Sequence, residues 1–178
     1  MTAPIRPAAA KAYGREKWLF VPAIADPDAP KVTEINAGGG LDMSCYFYTD
    51  SGRPDVSQNR VQAPQRICDT EQFESLGSAS WTGGDALYAV DPQGATGSDG
   101  KKALETLPEG TTGFLVRRFG IQVDDDVATG DFVSAFPVEW GVVLDTTEGD
   151  GEAAEVAIKQ AYAITGRPSI LKAVVAGP

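Results

Sequence analysis

The sequence contains no histidine, and this absence removes a large part of enzyme chemistry. Histidine is the usual general base, the commonest metal ligand and the partner of serine or cysteine in most nucleophile pairs. Carboxylate and lysine chemistry remain open to the chain. Most familiar hydrolase mechanisms are excluded, so an enzyme becomes a less favoured class of function than a binding or structural protein.

Cysteine is also scarce. Cys45 and Cys68 are too few for a disulfide framework, and their spacing does not match that of metal ligands. We expect two small buried thiols.

Long apolar runs are missing as well. No segment approaches the roughly 20 residues that cross a bilayer. The first twenty residues, MTAPIRPAAAKAYGREKWLF, lack the continuous apolar region of a signal peptide. We therefore expect a protein that is made and kept in a cytoplasm, without a membrane partner.

The charge balance is strongly acidic. Fifteen Lys and Arg residues face 25 Asp and Glu residues, for a formal net charge of −10. Because an acidic surface repels phosphate, tight wrapping of nucleic acid by the whole protein is disfavoured. With 178 residues, the chain is expected to form one domain, or one domain with an arm.

Strand periodicity dominates the sequence. In DFVSAFPVEWGVVLD, every second residue from Phe132 to Leu144 belongs to a nearly unbroken apolar face. Pro137 cannot donate to a ladder, so this strand is expected to bend there or to lie at an edge. The same alternation predicts a strand in EVAIKQAYAITG, with shorter ones at 17–24, 41–49, 86–90 and 169–175.

One short helix is predicted. Ser98 or Asp99 can cap GKKALETL, in which Ala103, Leu104 and Leu107 share a face. It has about two turns, so tertiary packing must hold it. Many short strands with one short helix predict a mainly β fold, a sandwich or a barrel.

The segment 50–65, DSGRPDVSQNRVQAPQ, is polar and has no periodicity. It carries Arg53, Asp55 and Arg60, and Arg66 follows just beyond it. We expect a long polar loop, which in a compact domain is usually functional or disordered.

Two motifs suggest ligand sites. NAGGG at 36–40 lacks the following helix of a phosphate cradle, because 41–49 alternates as a strand, so a flexible strand-to-strand connection is favoured. Asp124, Asp125 and Asp126 lack the spacing of a calcium loop and point to alternate faces, so a solvated acidic turn is favoured over a metal site.

A carboxylate pair for glycoside hydrolysis could be sought around Glu139, Trp140 and Asp42. No second carboxylate with a reason for a raised pKa can be named from the sequence.

Arg117 and Arg118 interrupt an apolar strand and must point to opposite faces. If one face packs the core, one arginine is either satisfied there or faces another chain. Guanidinium groups are common at interfaces because they bind carboxylates through two parallel hydrogen bonds. The alternative is that one arginine lies near a strand end, with its stem buried and its head in solvent.

The order of these parts resembles a known family. The segments follow one another as in the major tail tube proteins of long-tailed, siphovirus-type phages, especially those of actinobacteria. In chain order they are KVTEINAGGGLDMSCYFY, the polar segment to RVQAPQRICDTEQFESLG, ALYAVDPQG, KKALETL with PEGTTGFLVRRFG, GDFVSAFPVEWG and KQAYAITGRPSILKAVVA. The resemblance runs from about residue 17 to residue 175.

The resemblance implies a β-sandwich with one flanking helix over 17–178, preceded by an N-terminal arm over 1–16. It implies hexameric rings, joined sheet edge to sheet edge and stacked into a tube that passes DNA without binding it specifically. The loop 50–65 would reach the adjacent ring through Arg53, Asp55, Arg60 and Arg66. The further partners would be a tape measure protein and tail terminator or baseplate proteins, with no cofactor and no metal. Within this picture we assign the subunit interface to Arg117, Arg118, Pro137 and Glu139, and an acidic rim or lumen to Asp124, Asp125 and Asp126.

Three other functions remain open. The protein could be another β-sandwich virion protein, for head-tail joining or capsid decoration, or a secretion-system tube protein. It could also be a carbohydrate-binding module, in which case Trp18, Trp81 or Trp140 would have to line a groove.

Overall fold

A computed structural model of the chain describes residues 9–37 and 39–177. Within them the fold is mainly β, as predicted. The strands are β1 (Glu16–Val21), β2 (Leu41–Asp42), β3 (Asp55–Gln62), β4 (Glu74–Thr82), β5 (Asp85–Ala89), β6 (Thr112–Phe119), β7 (Phe132–Glu148), β8 (Glu155–Ile164) and β9 (Ser169–Ala173). The helices are α1 (Val32–Ala37) and α2 (Asp99–Thr106), with a single 3-10 turn at Gly151–Ala153. No helix in these described ranges is long and apolar enough to cross a membrane.

Seven strands form one antiparallel sheet in the order β2-β1-β6-β7-β8-β5, and β9 also pairs with β7. The remaining two, β3 and β4, form a separate two-stranded sheet. The large sheet curls into a half-barrel. Its strands come from both halves of the chain: β7 and β8 form a local hairpin, whereas β1 pairs with β6 and β5 with β8 across long stretches of sequence.

The segment 43–52 crosses the opening of the half-barrel from β2 to β5. The Met43 N–H donates to the carbonyl of Trp18 on β1 at 2.8 Å, and the Ala89 N–H of β5 donates to the carbonyl of Tyr46 at 2.9 Å. This segment therefore covers the outer edge of β5. The prediction of a strand over 41–49 was wrong beyond Asp42, because the chain turns at once towards β5.

Two layers of apolar side chains lie on the two faces of the sheet. The concave layer packs against α2, whose Ala103 and Leu107 are fully buried, as the predicted helix face requires. The convex layer lies under α1 and the loops around it. Its buried members are Leu19, Val21, Ile24, Ile35, Val116, Val127, Val133, Ala135 and Val174.

A β-bulge interrupts the alternation of β7. Trp140 faces Tyr162 of β8 and Val143 faces Gln160, so that two residues of β7, Gly141 and Val142, occupy the space of one. The extra residue reverses the faces of the strand beyond it. The predicted apolar core face was therefore wrong past Trp140: Val142 and Leu144 are 66% and 58% exposed.

Pro137 lies in a central strand and not at an outer edge of the sheet. On one side of β7 the ladder with β9 ends at Ala135, and the ladder with β8 begins at Val138. The Pro137 carbonyl points to this side, where it accepts from the Thr165 N–H at 3.0 Å. The N–H that proline lacks would point the same way, into the gap between two partner strands. The expected edge is thus a local gap in the pairing.

The helix α1 was missed by the sequence analysis. It has six residues, too few for a visible 3.6-residue period, and buried Ile35 anchors it. Because of this helix, NAGGG connects a helix to a strand and not two strands as expected. Its Gly40 lies so close to the Phe20 carbonyl that a Cβ would clash.

Cys45 and Cys68 are both exposed, so the prediction of buried thiols was wrong. Cys45 lies in the turn after β2, and Cys68 lies between β3 and β4.

The expected loop 50–65 is in large part a strand. Residues Asp55–Gln62 form β3, which pairs with β4 from Asp55 opposite Thr82 to Gln62 opposite Glu74. We call residues 53–82 the arm. All of β3 is exposed to solvent, and an apolar alternation is absent because neither of its faces packs on a core. This is why the segment read as a loop.

Candidate assembly surfaces

The rest of the described chain, outside the arm, is called the body. The arm is attached to the body through the Glu16 carboxylate. Arg53 at the start of the arm contacts Glu16 Oε2 through Nη2 at 3.1 Å. Arg117 contacts Glu16 Oε1 through Nη2 at 2.8 Å and donates to it from Nε at 2.9 Å. The Trp18 indole N–H donates to the same oxygen at 2.9 Å. One carboxylate of β1 therefore joins the root of the arm to β6.

Arg117 is further held by aromatic rings. Its guanidinium carbon lies 3.8 Å from the ring centroid of Phe119 and 4.9 Å from that of Trp18. Burial lowers the pKa of Arg117, and the nearby Glu16 carboxylate opposes that shift. The side chain still carries its charge at neutral pH, because the ordinary pKa of arginine lies above about 12.

Arg118 is buried, and its guanidinium holds the loop that follows β6. Nη1 donates to the carbonyl of Asp126 at 2.8 Å and to the Asp131 carboxylate at 3.1 Å. Nη2 donates to the carbonyls of Gln122 and Asp125, each at 2.8 Å. Four acceptors of its own chain therefore bind the two terminal nitrogens of this buried cation, while its Nε is buried without a hydrogen-bond partner among the described residues.

Lys17 supports the same loop from the neighbouring strand. It is the Cα partner of Arg118 in the β1–β6 ladder, so both cations lie on one face of the sheet. Its Nζ donates to the carbonyls of Val123 at 3.0 Å and Asp125 at 3.2 Å, and it pairs with the Asp42 carboxylate at 3.0 Å. The two cations bind main-chain oxygens of a loop that otherwise lacks regular hydrogen bonding.

Asp124, Asp125 and Asp126 form an exposed turn, and the backbone carbonyls of Asp125 and Asp126, rather than any of the three carboxylates, accept from Lys17 and Arg118. Across residues 9–37 and 39–177, no group of three or more Cys, Asp or Glu residues is arranged to hold a metal ion. The placement of this turn at a rim or lumen stays a prediction.

The structure corrects the reasoning about the two arginines. One of them is buried, as the alternation requires, but each finds a carboxylate in its own chain: Glu16 for Arg117 and Asp131 for Arg118. Burial therefore does not by itself require a partner from a neighbouring subunit, and the interface role of the two arginines stays a prediction. Glu139 is exposed on the convex face of β7, and its interface role and that of Pro137 remain predictions.

The four charged residues assigned to the inter-ring segment lie at different points of the arm. Arg53 is at the root, and the Asp55 carboxylate accepts from the next N–H, that of Val56, at 2.8 Å. Arg60 lies midway, opposite Leu76. Arg66 belongs to the turn between β3 and β4, where the Asp69 carboxylate accepts from its backbone N–H at 2.7 Å.

The arm exposes apolar side chains along its whole length. They are Val56, Val61, Ile67, Phe73 and Leu76. Both strands of the arm also have an unpaired outer edge within the described chain. Soluble monomers rarely leave such surfaces open, since apolar patches and free strand edges promote association. The arm is therefore a surface that another protein surface is expected to cover.

The three tryptophans do not form a sugar-binding groove. Trp18 and Trp140 are buried in the concave layer, and Trp81 packs against that layer from the arm. This arrangement disfavours the carbohydrate-binding module.

The comparison with known families decides the class of protein. The family model of the phage tail tube proteins matches residues 3–177, nearly the whole chain. The chain belongs to the phage tail tube protein family. A search of the curated proteins finds no match. The resemblance drawn from the sequence is confirmed at the level of this family.

Membership makes this tail tube protein a structural component of the virion tail and not an enzyme. It also implies self-assembly into a tube within the tail. The exposed apolar arm and its free strand edges are the features of the subunit that such an assembly would use.

Proposed function

We propose that this tail tube protein forms hexameric rings, which stack into the tube of a siphovirus-type phage and form the conduit for DNA ejection. The observation that carries the proposal is the arm: a strand pair with exposed apolar side chains, tied at its root to the body by Arg53, Glu16 and Arg117. In a monomer the arm would only expose apolar surface to water, whereas in a stacked ring it can contact a subunit of the adjacent ring.

The length of the arm suits a contact between rings. The eight residues of β3 span about 26 Å at the usual rise of a strand, and the turn 63–73 extends the arm further. Its root is fixed while its far end makes no large contact with the body. In the proposal, the arm of one ring reaches the adjacent ring, and Arg60 and Arg66 lie on the part that crosses.

The acidity of the chain suits a conduit. A net charge of −10 disfavours binding of the DNA phosphates, so the genome slides through without adhering. Asp124, Asp125 and Asp126 form an exposed acidic turn that would lie at the rim or lumen of a ring.

The wider assembly follows from the same proposal. A tape measure protein would occupy the lumen before ejection, and terminator and baseplate proteins would close the two ends. Assembly would take place in the cytoplasm of an actinobacterial host. Within a ring, Pro137, Glu139 and the partly exposed Arg117 are the proposed contact residues of the subunit interface.

Electron microscopy of the purified protein tests the proposal. We expect rings with sixfold class averages and, at higher concentration, stacked tubes of uniform diameter. A variant in which residues 55–81 are replaced by a short Gly-Ser turn should keep the body folded and form no tubes. Light scattering that shows only monomer at every concentration would contradict the proposal. If the shortened variant still formed tubes, the arm would not be part of the inter-ring contact.

A further inference from the structure

Half of the convex face of the sheet is left uncovered. Under α1 and the loops, the β1–β6 half of this face is buried. Beyond the bulge, the outward side chains of β7 meet no second layer at Val142 and Leu144, which are 66% and 58% exposed. We call this surface the open face. Its outward residues are Glu139, Val142, Leu144, Thr146, Glu148, Glu155, Lys159, Ala161, Ala163, Asp85, Leu87 and Ala89; Ala157 lies on the same side but is fully buried.

The centre of the open face is mostly apolar. Its exposed residues on β8 are Ala161, Ala163 and Lys159, whose Nζ pairs with the Asp85 carboxylate at 3.0 Å. Small side chains on a strand allow another backbone to come close. The centre of the face therefore presents apolar surface with its one cation already neutralised.

The open face also ends in a free strand edge. The ladder between β6 and β7 stops at Thr112 opposite Glu139, and the Gly110 N–H and the Thr111 carbonyl bond to Trp140 beyond it. From Val142 to Glu148, no described residue pairs with β7 on that side. A free edge next to an uncovered apolar face is a typical acceptor for an added strand.

The arm carries a matching surface. Residues opposite one another in the β3–β4 ladder share a face, so Val56, Arg60, Leu76 and Ala79 stand on the same side as Trp81. Trp81 packs against the body at the root. Further out, Val56 and Leu76 remain 47% and 68% exposed. Gln58 lies between Val56 and Arg60 on this side, and the Gln62–Glu74 pair follows Arg60. The arm thus presents a mixed strip, in which Val56, Ala79 and Leu76 are apolar and Arg60 is the one cation.

The charges of the two surfaces are complementary. Within the described residues, Arg60 has no ion pair, and neither do Glu139 and Glu148 at the two ends of the open face. A guanidinium that reaches a carboxylate at the border of an apolar contact adds orientation as well as attraction.

Both surfaces are exposed in the same chain, so the arm does not cover the open face of its own subunit. We propose that the open face of one copy receives the arm of a second copy, with Leu76 and Val56 packed over Val142 and Leu144 and Arg60 directed to the bordering carboxylates. This inference rests on the proposed function, because it names the receiving surface for the arm of a stacked or adjacent subunit.

Cross-linking between two singly labelled preparations tests the contact. In a background with Cys45→Ser and Cys68→Ser, one preparation carries Leu76→Cys and the other carries Leu144→Cys. Both positions are exposed, so neither change should unfold the subunit. We expect a short bismaleimide reagent to give a covalent dimer only when the two preparations are mixed and assembled. The matched control replaces Leu144→Cys by Thr129→Cys, which is also exposed but lies in the loop between β6 and β7, outside the open face.

The outcomes separate the two proposals. Tubes that form from the mixture without a Leu76–Leu144 dimer, or with an equal yield from the Thr129 control, overturn the receiving surface and leave the tail tube proposal standing. Failure of every preparation, including the unaltered chain, to form rings or tubes overturns both. As a second measurement, Arg60→Glu should weaken assembly by about tenfold or more at low salt. The charge-matched control Lys102→Glu, exposed on α2 and outside both surfaces, should leave assembly nearly unchanged, and equal effects of the two would contradict the contact.

Discussion

The body and the arm of this tail tube protein place arginine and large apolar residues in opposite environments, buried in the one and exposed in the other. In the body, Arg118 is buried and binds four acceptors of its own chain, and most large apolar residues lie in two covered layers. In the arm, Arg60 is exposed without an ion pair among the described residues, and Val56 and Leu76 face solvent. The body has its own core and leaves only part of its surface, the open face, uncovered, whereas the arm has no core of its own. Stability should therefore depend on the body and assembly on the arm.

The largest expected effect on stability is that of Arg118→Met. Methionine fills part of the space but leaves the Asp131 carboxylate and three loop carbonyls without their buried donor. We expect a loss of about 3–5 kcal/mol in the free energy of unfolding. Urea unfolding followed by tryptophan fluorescence measures it. The matched change in the arm, Arg60→Met, should alter that free energy by less than about 0.5 kcal/mol. Similar losses for both would break the contrast between the two regions.

The change Gln160→Leu should have the next largest effect. The Gln160 side chain donates to the carbonyls of Leu107 and Gly141, each at 2.9 Å, and accepts from the Tyr88 hydroxyl at 2.8 Å. It thereby joins the end of α2 to the bulge of β7. Leaving buried polar groups without a partner costs about 1–3 kcal/mol each. Urea unfolding should show a loss in this range, while Gln58→Leu on the exposed arm should show none.

A comparable loss is expected in a pair of leucine variants. Leu115→Ala removes a buried side chain of the concave layer and should cost about 2–5 kcal/mol. Leu76→Ser in the arm should change the free energy of unfolding by less than about 0.5 kcal/mol, yet reduce tube formation as seen by sedimentation. A folded, assembly-deficient Leu76→Ser variant would sharpen the contrast, and an unfolded one would contradict it.

A smaller effect is expected from alkaline pH. Burial raises the pKa of Tyr88 and of Tyr162 well above the usual value of about 10. The folded state then holds these protons more tightly than the unfolded chain does. Their contribution to stability is complete below about pH 10 and is lost as the pH rises above it. Thermal unfolding between pH 8 and pH 11 should show a falling melting temperature, less steep in Tyr88→Phe. Tyr13→Phe, at an exposed position, should keep the slope of the original chain.

Local patterns predicted the elements that pack on one core with one face. The helix α2 was placed correctly because a capping residue, an apolar stripe and Pro108 all agree with one another. Strand β8 was found because Ile158 and Tyr162 are buried while Lys159 and Ala161 are not. The mainly β fold with a short flanking helix follows from many elements of this kind, and it is confirmed.

The sequence analysis missed strands that do not bury one face and expose the other along their whole length. β3 and β4 have no buried face along most of their length, so they show no period of two. In β7, the bulge at Gly141 exchanges the faces without any change in the residue pattern. Pro137 was expected to mark a bend or an edge, because a sequence cannot show that two partner strands meet beside it.

By itself, the sequence determined the class of the protein. The missing histidine, the acidic balance and the alternating apolar residues indicated a mainly β protein and made an enzyme the weaker class, because composition and periodicity are properties of the chain alone. The resemblance of the order of its segments to the tail tube proteins indicated the family, which the family model confirms. Only the tertiary structure decided that Arg118 binds the loop after its own strand, that Glu16 holds the root of the arm, and that the open face and the arm remain uncovered. These features join residues distant in sequence. Which residues distant in sequence come into contact depends on strand register and on the curvature of the sheet. Neither can be derived from a local sequence pattern.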